Sequence, residues 1–328
     1  MNLRRISNRC ACLVVFLASM GLVHADLTGV AGPVSSLGVA PAIIAAPSDA
    51  LNQCVTASGQ LGFDEAQGVI TPAAFGADDA GVIPAGTLVD SHMILLNLGV
   101  AGGATHTGVV WTFKRPIIAV MSDSGGTLEA ASTPTLGAPA TNYVLPATGA
   151  CVPFPPVGAA PFAARGLETT GAAFPFAHTA CPAGDCYTVA GATILVHMGV
   201  SQPGDWIRVV TVGAFNVAID PKPGSDPNCF NPDGKGVVPV AILGSASFDA
   251  TMIAPFSMSF GGLTVATKGN GDAQCHTEDS NGDGFTDMVC QFTDDGTFTG
   301  GPTADLTGML TDGKLFEGSA PVCLVPAD

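Results

Sequence analysis

Glycine and proline interrupt this chain too often for long helices. With 42 glycines and 25 prolines in 328 residues, a breaker falls about every fifth position. A helix interior loses roughly 1 kcal/mol at each glycine and roughly 3 kcal/mol at each proline, whereas short strands end naturally at such residues. The runs between breakers are rich in Val, Ile, Leu, Thr and Phe and predict strands near 88–98, 107–113, 116–121, 193–200 and 205–212. Further runs predict strands near 216–219, 236–243, 256–260, 263–267, 285–292, 303–310 and 321–325. Many short strands with turn residues between them imply an all-β fold of two antiparallel β-sandwich domains, jelly-roll or immunoglobulin-like. The expected division is 1–25 as a signal peptide, 26–48 as a low-complexity lead-in that leaves a further strand open, 49–213 as a first domain and 214–328 as a second.

The first 25 residues have the layout of a secretory address. Arg4, Arg5 and Arg9 precede an apolar run from Ala11 to Val23, and Val23-His24-Ala25 supplies small residues at the cleavage positions, so the mature chain should begin near Asp26. No later segment offers the roughly 18 consecutive apolar residues of a membrane span. The product is expected to be secreted, extracellular or periplasmic. Eight cysteines then remain, Cys54, Cys151, Cys181, Cys186, Cys229, Cys275, Cys290 and Cys323. An even set in an oxidising compartment favours disulfides, with Cys181–Cys186 and Cys275–Cys290 the two pairs expected from short loops. The scattered histidines and lack of paired C-x-x-C motifs argue against zinc.

Net charge is −16, and removing three arginines with the signal leaves 8 Lys and Arg against 27 Asp and Glu, or −19. Such a balance repels nucleic acid and anionic lipid, and it suits a protein that binds cations or simply stays soluble.

Acidic residues are densest between His276 and Asp287. Asp279, Asn281, Asp283 and Asp287 stand at positions 1, 3, 5 and 9 of a D-x-[DN]-x-D-G-x-x-D pattern, with Gly284 at the turn and the Phe285 carbonyl at position 7. Ca²⁺ takes six to eight oxygens at about 2.3–2.6 Å, and this spacing supplies hard oxygen donors around one turn. Position 12 is Cys290 where an EF-hand has glutamate, so further oxygens must come from water, Glu278 or elsewhere. The competing reading is a solvated acidic turn that binds nothing.

The motifs Val217-Ala-Ile-Asp-Pro-Lys-Pro-Gly-Ser225, Gly236-Val-Val-Pro-Val-Ala-Ile-Leu-Gly244, His276-Thr-Glu-Asp-Ser-Asn-Gly-Asp-Gly284 and Leu306-Thr-Gly-Met-Leu-Thr-Asp-Gly313 resemble a module of secreted, often multidomain, bacterial proteins. The resemblance covers about 215–326 and implies a small β-sandwich with one Asp-rich ion loop, whose ligands here are Asp279, Asn281, Asp283 and Asp287. The four cysteines of this half depart from it. More loosely, Gly62-Phe-Asp-Glu-Ala-Gln-Gly68, Val89-Asp-Ser-His-Met93 and Gly204-Asp-Trp-Ile-Arg-Val-Val210 are similar to a domain of exported proteins of exosortase type. Those proteins commonly carry a Pro-Glu-Pro anchor, whereas this chain ends Val-Cys-Leu-Val-Pro-Ala-Asp328, so release is expected.

Neither resemblance implies a catalytic residue. His92 and His106, with Asp64, Glu65, Asp90, Asp123 and Glu129, could in principle assemble acid–base chemistry, but no spacing identifies a site. Both histidines are expected to be hydrogen-bonded between strands, Trp111 and Trp206 to be core, and Arg208 to face the same side as Trp206 and pair with a carboxylate at the sheet margin. The favoured function is a calcium-stabilised binding or matrix protein for a glycan, a polymer or a cell-surface protein. The alternative is an extracellular hydrolase with a site in first-domain loops.

Overall fold

Apolar runs and breakers divide the chain into strands, as their spacing requires. The computed structural model describes residues 26–325 apart from 49, 51–55, 79–80, 99–101, 124, 144–184 and 202–203. The fold is all-β, and the α-helix at Thr127–Leu136 is ten residues long. The expected signal peptide and the Cys181–Cys186 pairing lie outside the described residues, although Cys186 is itself disulfide-bonded.

Before residue 213, one sheet runs in the spatial order Leu27–Ala31, Gly103–Phe113, Thr193–Ser201, Cys186–Ala190. A second runs Ala42–Ile43, Ala57–Asp64, Leu88–Asn97, Asp205–Val212, Ile117–Met121. The segment 26–48 thus contributes an edge strand to each sheet. Trp111, Val196 and Met198 of the first sheet meet Ile94, Ile207 and Val209 of the second in one core. The other face of the second sheet is covered as well: Phe63, Met93 and Trp206 pack with Tyr143, and Val89, Met121 and Val210 with Leu136 of the helix. Burial on both faces explains why Leu88–Asn97 is buried at every position and carries little alternation.

Arg208 pairs with a carboxylate as expected, but inside the fold and not at the sheet margin. It shares the Asp205–Val212 strand with Trp206, an inner strand of its sheet between the Leu88–Asn97 and Ile117–Met121 strands, and is 0% exposed. Its guanidinium grips Glu65 through Nε–Oε2 at 2.7 Å and Nη2–Oε1 at 2.9 Å. The remaining N–H groups donate to the Glu129 carbonyl (2.8 Å), Ser132 Oγ (2.6 Å) and Thr133 Oγ1 (3.0 Å). Glu65 also accepts from Ser91 Oγ at 2.8 Å and from the Tyr143 hydroxyl at 2.5 Å. A buried pair whose other polar atoms are satisfied can persist where a half-satisfied one would not.

Beyond residue 213, one sheet runs Ala214–Asn216, Leu315–Pro321, Thr303–Met309, Ser259–Phe260, Leu263–Thr264, and another Ile219–Pro221, Val237–Ile242, Asp287–Thr293, Cys275–Glu278. Val240, Ile242, Cys290 and Phe292 of one pack with Phe260, Leu306 and Phe316 of the other. Cys275 and Cys290 are bonded, as expected, across directly paired positions with Cα atoms 4.1 Å apart. A further bond in this half, Cys229–Cys323, spans 94 residues, a pairing that no short loop predicts.

The two halves meet at Gly213, where the last strand of one sheet gives way to the first of another. A Cβ at this position would stand 2.5 Å from the Val89 carbonyl carbon, so the crossing requires glycine. Charges also join the halves. Arg115 Nη1 binds Asp26 at 2.8 Å and Asp90 at 2.7 Å, and its Nη2 reaches Glu317 at 2.6 Å, with Lys114 on the same Glu317 oxygen.

Glu65→Ala, which strands a fully buried guanidinium, is expected to cost about 3–5 kcal/mol in urea unfolding. A second expectation concerns pH. Burial, followed by the adjacent Asp26 carboxylate, pushes Asp90 up from 3.8 to about 8. A raised carboxyl contributes stability that is complete below its unfolded value and is lost as pH rises through its folded one. The protein should therefore melt lower at about pH 9 than at about pH 6, and Asp90→Asn should flatten the difference.

Candidate metal centre

The acidic loop is a tight turn at the end of a cross-linked hairpin. Cys275–Glu278 pairs with Asp287–Thr293, and Glu278 opposite Asp287 is the last rung before the loop opens. Gly282 (φ 75°) and Gly284 (φ 88°) take left-handed conformations that residues with a Cβ disfavour, which accounts for both glycines.

Asp279 organises the turn. Its Oδ1 accepts from the N–H groups of Gly282 (2.8 Å) and Asp283 (3.1 Å), and its Oδ2 from Gly284 N–H (3.0 Å). Asn281 Oδ1 accepts from Asp283 N–H at 3.0 Å, while its Nδ2 donates to Asp283 Oδ2 at 2.9 Å. Asp283 Oδ1 accepts from Phe285 N–H at 2.9 Å. All of these residues face solvent, Phe285 included at 42% exposure.

Asp287 lies apart from that exposed set. It is 0% exposed, its Oδ1 accepts from Gly244 N–H at 2.8 Å, and its Oδ2 accepts from Ser280 N–H at 2.8 Å and Ser280 Oγ at 2.5 Å. It ties the start of the loop to the neighbouring Val237–Ile242 strand's exit. Glu278 is half exposed and lies 3.5 Å from His276 Nε2. The structure therefore brings Asp279, Asn281 and Asp283 together in one turn, with Phe285 following, and holds Asp287 behind them. Among the described residues, no group of three or more His, Cys, Asp and Glu side chains is placed to hold a metal ion.

The donor chemistry nevertheless fits a hard cation. A carboxylate has about four acceptor sites and a carbonyl oxygen about two. After the hydrogen bonds above, Asp279, Asn281 and Asp283 each keep acceptor capacity on the solvent side, and the Phe285 carbonyl and water could complete an all-oxygen shell.

The two candidate histidines of the first half have no partner in common. His92 Nδ1 lies 2.7 Å from Asp64 Oδ1 and its Nε2 3.1 Å from Thr211 Oγ1. His106 Nδ1 accepts from Gln60 N–H at 2.8 Å, so its Nε2 carries the proton that is donated to the Pro33 carbonyl at 2.9 Å. Both rings are buried and bridge chain segments, as expected. Trp111 and Trp206 are likewise core. A shallow cleft of about 280 Å³ at the meeting of the halves is lined by Thr87, Leu88, Val212, Asp312, Lys314 and Leu315, and neither histidine reaches it.

No family model, curated protein or solved structure matches the chain.

The two kinds of loop aspartate should separate in chelator. Asp287→Ala strands the buried N–H of Gly244 and should cost at least about 1–3 kcal/mol. Asp283→Ala, at an exposed position, should change stability by less than about 0.5 kcal/mol in the same buffer.

Proposed function

We infer that this is a secreted, non-catalytic binding or surface-associated protein whose two β-sandwich domains are stabilised by Ca²⁺ at the Asp279–Phe285 turn. The observation that carries this reading is the juxtaposition of Asp279, Asn281 and Asp283 on one solvent-facing turn, held by backbone N–H groups. Two carboxylates in that turn repel one another, and a divalent ion replaces the repulsion with attraction. Asp279, Asn281, Asp283 and the Phe285 carbonyl would be the direct donors. Asp287 would act from behind, orienting the loop, and Glu278 could reach the ion through water. Ca²⁺ supplies no reaction here; it fixes a loop at one end of a sheet. The resemblance of residues 215–326 to an ion-loop module of secreted bacterial proteins supports the same reading. So does the pairing of cysteines at Cys229–Cys323 and Cys275–Cys290, which belongs to oxidising compartments. The partner class that suits an acidic β-sandwich surface of this kind is a neutral glycan, a polymer or a cell-surface protein.

An ion that binds only the native state stabilises it by about 2.7 kcal/mol at a hundredfold excess over Kd. The protein should melt higher in millimolar Ca²⁺ than in chelator at matched ionic strength, and calorimetry should show one saturable site. Asp283→Ala should remove most of the difference and Glu278→Ala less. Equal melting in Ca²⁺ and chelator, with no heat of binding, would contradict the reading and leave an acidic turn. A glycan array run with and without Ca²⁺ then tests the partner class.

A further inference from the structure

The charge cluster around Arg115 begins at the residue where the secretory address is expected to end. Asp26 is 3% exposed and is held through its N–H, its carbonyl and one carboxylate oxygen. Its N–H donates to Asp64 Oδ2 at 3.1 Å, the next N–H, that of Leu27, donates to Asp64 Oδ1 at 3.0 Å, its carbonyl accepts from Lys114 N–H at 2.7 Å, and its Oδ2 accepts from Arg115. The cluster is short of positive charge. With Asp90 protonated at neutral pH, Asp26, Asp64 and Glu317 supply three carboxylates, while Lys114 and Arg115 supply two permanent cations and His92 lies on Asp64. Asp26 Oδ1 is also buried with no hydrogen-bond partner among the described residues.

We propose that cleavage before Asp26 turns its amide nitrogen into an α-ammonium that pairs with Asp64, supplies the missing positive charge, and makes processing itself a stabilising step. The inference rests on the reading of residues 1–25 as a secretory address. Hydrolysis of the 25–26 peptide bond by water gives a carboxylate on the departing segment and an amine on Asp26, which takes up a proton at neutral pH. Where the amide has one N–H, the ammonium has three, so it can keep the bond to Asp64 and still donate to another acceptor close by. A full charge at about 3 Å from a largely buried carboxylate is a much stronger contact than an amide hydrogen bond. Because Arg115 and Glu317 belong to the same cluster, the added charge acts where the two halves meet. The unprocessed chain must instead carry Ala25 on a nitrogen that lies in this cluster, with no charge to offer it.

The test compares two preparations of the chain 26–328 that differ only at the terminus, one with a free α-amine on Asp26 and one Nα-acetylated. The free-amine form should melt higher at about pH 7, and the advantage should vanish above about pH 10, because an amine with a raised folded pKa stabilises below its unfolded value and ceases to do so above its folded one. The α-amine should also react with an acylating reagent at about pH 8 at least tenfold more slowly than a model peptide amine, whose pKa is near 8. Asp64→Asn should abolish both effects, and the acetylated wild type serves as the reference should that variant fail to fold. Equal melting of the free and acetylated forms, or a slow amine that Asp64→Asn leaves slow, would overturn the proposal. N-terminal sequencing of the exported protein tests the address separately: a start at Asp26 supports the proposal, and a start elsewhere overturns its processing step while leaving the outcome for the Asp26 ammonium to stand on its own.

Discussion

A shortage of positive charge organises this molecule. The chain has 27 acidic side chains and 11 basic ones, three of the latter in the segment expected to be removed, yet it buries several carboxyl groups. Arg208 and Arg115 each therefore serve many acceptors, one inside the first half and one between the halves. Acids left over are answered in other ways. Burial keeps Glu129 protonated well above the ordinary carboxylate range, and burial with Asp26 does the same for Asp90. Burial also raises Asp123, but the N–H groups of Leu128 and Thr127 at the helix start outweigh it and hold that carboxyl low. Asp287 is met by Gly244 and Ser280.

The same shortage gives the exposed loop its significance. Asp279 and Asp283 have backbone N–H groups but no basic side chain among their hydrogen-bond partners. Their supporting hairpin is rigid from both sides: the Cys275–Cys290 bond clamps one end and Asp287 fixes the other to the adjoining strand. An ion bound on the outside of that turn would be felt through Ser280 and Asp287 at Gly244, and so by the second half's core. This is the physical route by which a small surface site could set the stability of a whole sheet.

Much of this was legible in the sequence because it depends on local chemistry. Short apolar runs between glycines became strands, Cys275 and Cys290 faced one another across a hairpin, and the acidic turn formed where the Asp, Asn and Gly spacing placed it. What was not legible depends on distant neighbours. Leu315–Pro321 has weak strand character because Gly318 lies where a Cβ would come within 2.5 Å of the Val217 carbonyl oxygen, so close packing, not propensity, selects its small residue. Cys229 and Cys323 meet only because two short parallel strands bring together segments 94 residues apart. Arg208 read as a margin residue because arginine is seldom fully buried, and only the fold shows that Glu65, 143 residues away, waits for it. Within the loop motif, alternation of acids marks all four positions alike, and nothing local distinguishes buried Asp287, at the head of the apolar Met288-Val289-Cys290 run, from its exposed companions.

The most direct test of whether an external cation answers the loop's charge is anomalous diffraction from crystals grown in millimolar Ca²⁺. The account predicts an ion with the side-chain oxygens of Asp279, Asn281 and Asp283 and the Phe285 carbonyl oxygen about 2.3–2.6 Å away. A loop that holds no ion under those conditions, with the hydrogen bonds among Asp279, Asn281 and Asp283 unchanged, would contradict it.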